Sequence, residues 1–136
     1  MRYILAALSA ALAVKADEFN MQEAEVSRQF SVNAYCGHKQ YETLQWQGLT
    51  AGFVWTHTIY NQNNHTEGFI GYLPLDNSIY VVFKGTDDIM NWISDLDTDM
   101  DPYQAWPECN CRVHDGFQKS ADSVSGVVIS EVTRLQ

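Results

Sequence analysis

Hydrophobic and polar positions alternate with two different periods along this chain, and the change of period divides it. Residues 20–35 carry Ala24, Val26, Phe30 and Ala34 as a stripe at helical spacing, with Glu23 and Glu25 near the start. Acids there suit the positive end of a helix dipole, and Gly37 follows as a stop signal. Phe53, Trp55, His57 and Ile59 then alternate with Val54, Thr56, Thr58 and Tyr60, the period of two expected of a strand. A polar turn over Asn61–His65 leads to a second strand over Gly68–Leu73, and Asp76-Asn77 turns the chain into a third, Ser78–Phe83. The unbroken apolar run from Ile79 predicts a strand buried on both faces. His57 has no acid or cysteine beside it in sequence and is read as structural. After an irregular acidic stretch, Phe117, Ala121, Val124, Val128, Val132 and Leu135 recur with the helical period, opposite Lys119, Asp122, Ser123, Glu131 and Arg134. Gly126 weakens that helix by about 1 kcal/mol relative to Ala.

The order is helix, three strands, irregular segment, long helix. It predicts an α/β protein, with antiparallel hairpins first and a last helix placed to feed a parallel strand. There are no internal repeats and no linker-like stretch.

The N-terminus follows a different pattern. Arg2 precedes an uncharged run from Tyr3 to Val14, closed by the small-x-small sequence Val14-Lys15-Ala16. That order predicts a secretory signal peptide over residues 1–16, in preference to a buried N-terminal helix. The run is shorter than the roughly 20 residues a transmembrane helix needs, and no other segment is apolar enough to cross a bilayer.

The 136 residues suit one domain, and 46% hydrophobic with 18% charged residues is a globular composition. The formal net charge is -9, and loss of Arg2 and Lys15 with residues 1–16 leaves six basic against 17 acidic residues, or -11. Such a surface repels phosphate backbones, so no nucleic-acid partner is expected, and contact with a membrane would have to be apolar. Secretion would expose Cys36, Cys109 and Cys111 to an oxidising compartment. An odd count leaves at least one thiol without a partner in this chain: a free buried cysteine, or one whose partner lies beyond residue 136. Asn64-His65-Thr66 is an N-glycosylation sequon, suited to a loop of a secreted protein.

The chemistry concentrates in YVVFKGTDDIMNWISDLDTDM, residues 80–100. A core strand ends at Lys84-Gly85-Thr86, where glycine allows a sharp turn and Thr86 offers a backbone N–H and a hydroxyl just past the strand end. In α/β-hydrolases one oxyanion donor comes from such a turn and the other from the residue after the nucleophile. Ile89, Trp92, Ile93 and Leu96 follow at helical spacing among polar residues, which by spacing alone describes an amphipathic surface helix.

VVFKGTDDIMNWISDLD resembles the oxyanion-turn and lid segment of fungal-type (class 3) lipases, roughly VxFRG(S/T)xxxxNWxxDLx. CRVHDGFQKSADSV at 111–124 is similar to that family's cysteine, H-x-G-F and following helix, and NAYCG at 33–37 to the end of its N-terminal helix with the first half-cystine. The resemblance covers most of residues 17–136 but only about the first half of a family domain. It implies an incomplete α/β-hydrolase-like domain, with an N-terminal helix, antiparallel strands leading into a mixed sheet, a lid segment and a long helix.

By position, the resemblance assigns Thr86 to the oxyanion hole and Asp87 to orienting that turn. Ile89, Trp92, Ile93 and Leu96 fall to a lid that covers the site in water and rolls back at a lipid surface. His114 matches a structural histidine, not the triad base. Cys36 matches a cysteine whose partner is distant in sequence, and Cys109 and Cys111 fall where a small local disulfide occurs. Lys84 stands where arginine is common, keeping the charge but losing the planar fork. Cys109-Asn110-Cys111 is tighter than most family spacings, and a bridge there is expected to be strained and reducible.

The nucleophile elbow G-x-S-x-G does not occur in the sequence; Gly48-Leu49-Thr50-Ala51-Gly52 has threonine for serine and precedes the first strand. In this fold class the serine comes first, then the acid, then the histidine. The resemblance places the serine after the last helix here, so nucleophile, acid and base are all expected beyond Gln136. An oxyanion turn without a nucleophile forms no acyl-enzyme, and the chain alone is expected to be inactive. The ladder Asp95, Asp97, Asp99, Asp101 does not meet the EF-hand rule. Counting from Asp95 or Asp97, the glycine position holds Met100 or Pro102, so no metal is expected. With the signal peptide, the resemblance thus implies a secreted, cofactor-free serine ester hydrolase of the triacylglycerol lipase type, acting on glyceride esters at an interface, with phospholipid and plant-wall esters as the substrates of sibling activities on the same scaffold. The alternative is a truncated, inactive secreted module that binds lipid or protein.

Overall fold

The computed structural model describes residues 19–85 and 100–136. Helix α1 spans Met21–Asn33. It starts at Met21 because the Asn20 side chain accepts from Gln22 N (2.9 Å) and Glu23 N (3.3 Å), satisfying amides that have no partner inside the helix. A short 3-10 turn, Ala34–Cys36, carries it to Gly37, whose φ of 91° ends the run in a conformation that favours glycine.

Strands β1 (Val54–Asn61), β2 (Thr66–Leu73) and β3 (Ser78–Phe83) form an antiparallel sheet in the order β1-β2-β3. Both hairpin turns use the polar side chains that mark them in sequence. Asn61 Oδ1 accepts from Asn63 N and Asn64 N, and Asp76 Oδ1 accepts from Ser78 N. His65 (φ 49°) and Asn77 (φ 54°) take the left-handed positions.

The sheet packs on both faces. One side gathers Val26, Phe30 and Ala34 from α1 and its extension with Tyr41, Phe53, Phe69 and Leu73, and Trp55, Tyr80 and Val82 join them. The other side holds Ile59 and Ile70 against Val124, with Ile79, Val81, Val128 and Leu135. Alternation along β3 explains the split, since Tyr80 and Val82 point one way and Ile79 and Val81 the other. Trp55 and Ile59 on β1 would share a face in a regular strand. An irregularity between Trp55 and His57 shifts the register and sends them to opposite sides.

β3 is thus packed on both faces, as its sequence predicts, but it lies at the edge of the described sheet. Its residues are half-buried, and Phe83 is 48% exposed.

Strands β4 (Met100–Pro102) and β5 (Arg112–His114) pair antiparallel, a small ribbon inside what the sequence reads as irregular. Helix α2 (Asp115–Leu135) follows directly, capped by His114, whose Nδ1 accepts from Gly116 N at 3.1 Å. α2 crosses the sheet on Val124, Val128 and Leu135. The stripe expected from the sequence is corrected at its start: Phe117 is 60% exposed and Ala121 is exposed, because only the later turns lie over the sheet. Glu131 forms an ion pair within this helix. It accepts both Arg134 Nε (2.9 Å) and Nη2 (2.6 Å).

Candidate functional site

The candidate site begins where β3 ends. Past Phe83 the Lys84 amide still donates to Glu67 O (2.8 Å), so the backbone is held in register one residue beyond the strand. A Cβ placed on Gly85 would lie 2.5 Å from the Tyr35 hydroxyl, which gives a steric reason for glycine at this corner. Tyr35 also offers its ring to the Lys84 ammonium, 5.8 Å from the centroid.

Beneath this corner sits the Glu67 carboxylate. Oε2 lies 3.7 Å from Lys84 Nζ, and Oε1 lies 3.3 Å from His38 Nδ1 and accepts from the His38 amide. The Tyr41 hydroxyl is 3.3 Å from Oε1 and donates to Ala34 O at 2.6 Å. His38 stacks on Tyr60, with ring centroids 3.8 Å apart. The side chains of Glu67 and Lys84 are 16% and 17% exposed, so this ion pair is shielded more than a surface pair. Three stretches of chain therefore meet on one carboxylate: the turn after α1, the start of β2 and the end of β3. Their common effect is to fix the direction in which the backbone leaves β3.

Sequence reasoning reached the corner but not its support. Lys84 and Gly85 stand where the pattern predicts a strand end. Glu67, His38, Tyr35 and Tyr41 were missed. The signal was Glu67 itself, an acid directly before the apolar run Gly68–Leu73. The oxyanion residue Thr86, the orienting Asp87 and the lid residues Ile89, Trp92, Ile93 and Leu96 lie outside the described residues, as do Asp95, Asp97 and Asp99.

Cys109 and Cys111 are joined as a disulfide with Cα atoms 5.1 Å apart, and Cys36 is a free thiol. Asn64 lies in the β1–β2 turn, and its amide nitrogen, the atom a glycan would occupy, donates to Lys119 O (3.3 Å). Among the described residues no group of three or more His, Cys, Asp or Glu could hold a metal ion. Among the same residues no helix is long and apolar enough to cross a membrane.

Residues 80–136 match the family described as Lipase (class 3), from within β3 through the corner to the end of the chain. Solved structures with the same fold include a Rhizomucor miehei triacylglyceride lipase, at 25% identity and a TM-score of 0.69, over 84% of this chain and 44% of that one. A Rhizomucor miehei lipase propeptide complex superposes with a TM-score of 0.71 at 24% identity, over 85% of this chain and 39% of that one. A Penicillium expansum triacylglycerol lipase gives 0.63 at 19% identity, over 83% and 42%. The chain therefore spans less than half the length of these structures, and its fold is an incomplete version of their α/β domain. No curated protein sequence matches the chain.

Proposed function

We propose, from the premise that the chain carries part of a class 3 lipase family domain, that it contributes the oxyanion side of a secreted ester hydrolase acting on glyceride esters. The observation that carries this reading is the anchored corner after β3. Lys84 is held by backbone and side chain to Glu67, and Gly85 lies against Tyr35, immediately before Thr86. A donor used on a developing oxyanion must be fixed before the reaction, because a donor that reorganises during it loses most of its advantage.

In this reading Thr86 gives its backbone N–H and hydroxyl to the carbonyl oxygen of the ester. Asp87 orients the turn, and the segment containing Ile89, Trp92, Ile93 and Leu96 covers the site in water and moves onto a lipid surface. The serine that attacks the ester and the histidine and acid that activate it belong to a G-x-S-x-G elbow and its partners. The sequence of this chain contains no such elbow. The signal peptide over 1–16, the glycan on Asn64 and secretion are part of the same proposal.

The test is hydrolysis of a short-chain p-nitrophenyl ester by purified residues 17–136. No turnover above background is expected, since no acyl-enzyme can form. Turnover that persists through purification and disappears in Thr86→Ala would show that this chain carries a nucleophile of its own and overturn the division of labour.

A further inference from the structure

We propose that the Cys109–Cys111 disulfide is a thiol–disulfide exchange site, at which a small anionic thiol attacks Cys111. The ring closes over one residue, Asn110, which takes the left-handed conformation (φ 51°) tolerated by asparagine. In the chain-entropy account a disulfide restrains the unfolded chain more as its loop lengthens, so a ring this small contributes least. The neighbouring backbone is held without it. Tyr103 N donates to Cys111 O (3.0 Å), Cys109 N to Trp106 O (3.2 Å) and Asn110 N to Pro107 O (3.2 Å), and Pro102 pairs with Arg112 across β4 and β5. Cleavage of the bond therefore leaves this loop its hydrogen bonds.

The two sulfurs are not equivalent. Cys111 is exposed and lines a surface pocket of about 350 Å³ with Tyr103, Pro107, Asn110 and Arg112. Cys109 is half-buried, and its Sγ accepts a hydrogen bond from the Cys111 amide at 3.1 Å. Attack by a thiolate entering the pocket falls, in this proposal, on Cys111, the exposed residue of the pair. The new S–S bond forms there, the Cys109–Cys111 bond breaks, and its electron pair leaves on Cys109 Sγ, where the Cys111 N–H already points. A second thiolate attacks the bound thiol's sulfur and releases the small disulfide. The Cys111 and Cys109 thiolates then take protons from water. Two thiols are oxidised and the cysteine pair is reduced.

Arg112 is the charged residue among those lining the pocket, and its guanidinium is held by donating to Met100 O. It favours a thiol carrying carboxylates over a neutral one, against the acidic charge of the chain as a whole.

The experiment incubates the oxidised chain with reduced glutathione, quenches with acid, caps free thiols with N-ethylmaleimide and maps the peptides by mass; Cys36 is read on its own peptide. The expected intermediate carries glutathione on Cys111 and the cap on Cys109, and the end product is the dithiol with unchanged far-ultraviolet circular dichroism. Arg112→Gln should slow reaction with glutathione roughly tenfold and reaction with 2-mercaptoethanol, whose thiolate carries one negative charge fewer, distinctly less; unchanged far-ultraviolet circular dichroism of the variant shows that its fold is intact. Adducts on Cys109, equal labelling of both sulfurs, reduction only after denaturant, or equal slowing for both thiols would each overturn the proposal.

Discussion

The Lys84 ammonium lies 3.7 Å from the Glu67 carboxylate, and the same two residues are joined along the backbone by the 2.8 Å bond from Lys84 N to Glu67 O. A strand end held twice to one neighbour cannot swing independently of it. Glu67 also holds the His38 turn, so the exit from β3 is coupled to the segment that follows α1.

Glu67→Ala should therefore lower unfolding stability by about 2 kcal/mol, because it removes charged hydrogen bonds and leaves a shielded lysine without its carboxylate. Urea denaturation measures this. Amide exchange gives the sharper reading: Gly85 should exchange faster by more than the change in global stability accounts for, while Phe69 and Ile70 in the core of β2 track that change alone.

Gly71→Ala should be far worse than a surface substitution. A Cβ there would overlap the Val54 carbonyl oxygen and the Phe53 ring, and neither the β1 backbone nor a core aromatic can yield cheaply. The expected loss is about 3 kcal/mol or more, read from the urea midpoint or from failure to fold. Gly126→Ala is the contrasting case, since nothing lies within 4 Å of a Cβ at that exposed helical position. It should raise stability by about 0.5 to 1 kcal/mol.

These contrasts show what the residues themselves disclosed. The strands and turns were legible because alternation in Phe53–Tyr60 and the turn formers Asn61–His65 and Asp76-Asn77 act over a few residues. The register shift between Trp55 and His57 was not, because it answers to packing of two clusters on opposite faces. The exposure of Phe117 was missed for a related reason: periodicity defines a helix face but not how much of its length meets a sheet. At the candidate site the corner Lys84-Gly85 could be read from its strand. Glu67 and His38 are 29 residues apart and meet only through the fold.

Glu131 should give a recognisable acid limb. The hydrogen bonds from Arg134, then that from Thr56, lower its pKa from 4.5 to about 2, against the opposing effect of burial and with further help from the positive charges of Arg134 and His57. A depressed folded-state pKa contributes stability that is complete above 4.5 and fades as pH falls toward 2. Glu131→Gln should flatten the stability profile in that window and leave its slope at neutral pH unchanged. Thermal melts at a series of pH values between these limits check it.

The central claim is that the backbone leaving β3 delivers Thr86 to a reacting ester, and turnover measures it most directly. Hydrolysis of a tributyrin emulsion by the product of the complete open reading frame should fall about 10² to 10³-fold in kcat on Thr86→Ala, with KM little changed. Equal turnover by the two proteins, or no hydrolysis by either, would contradict it.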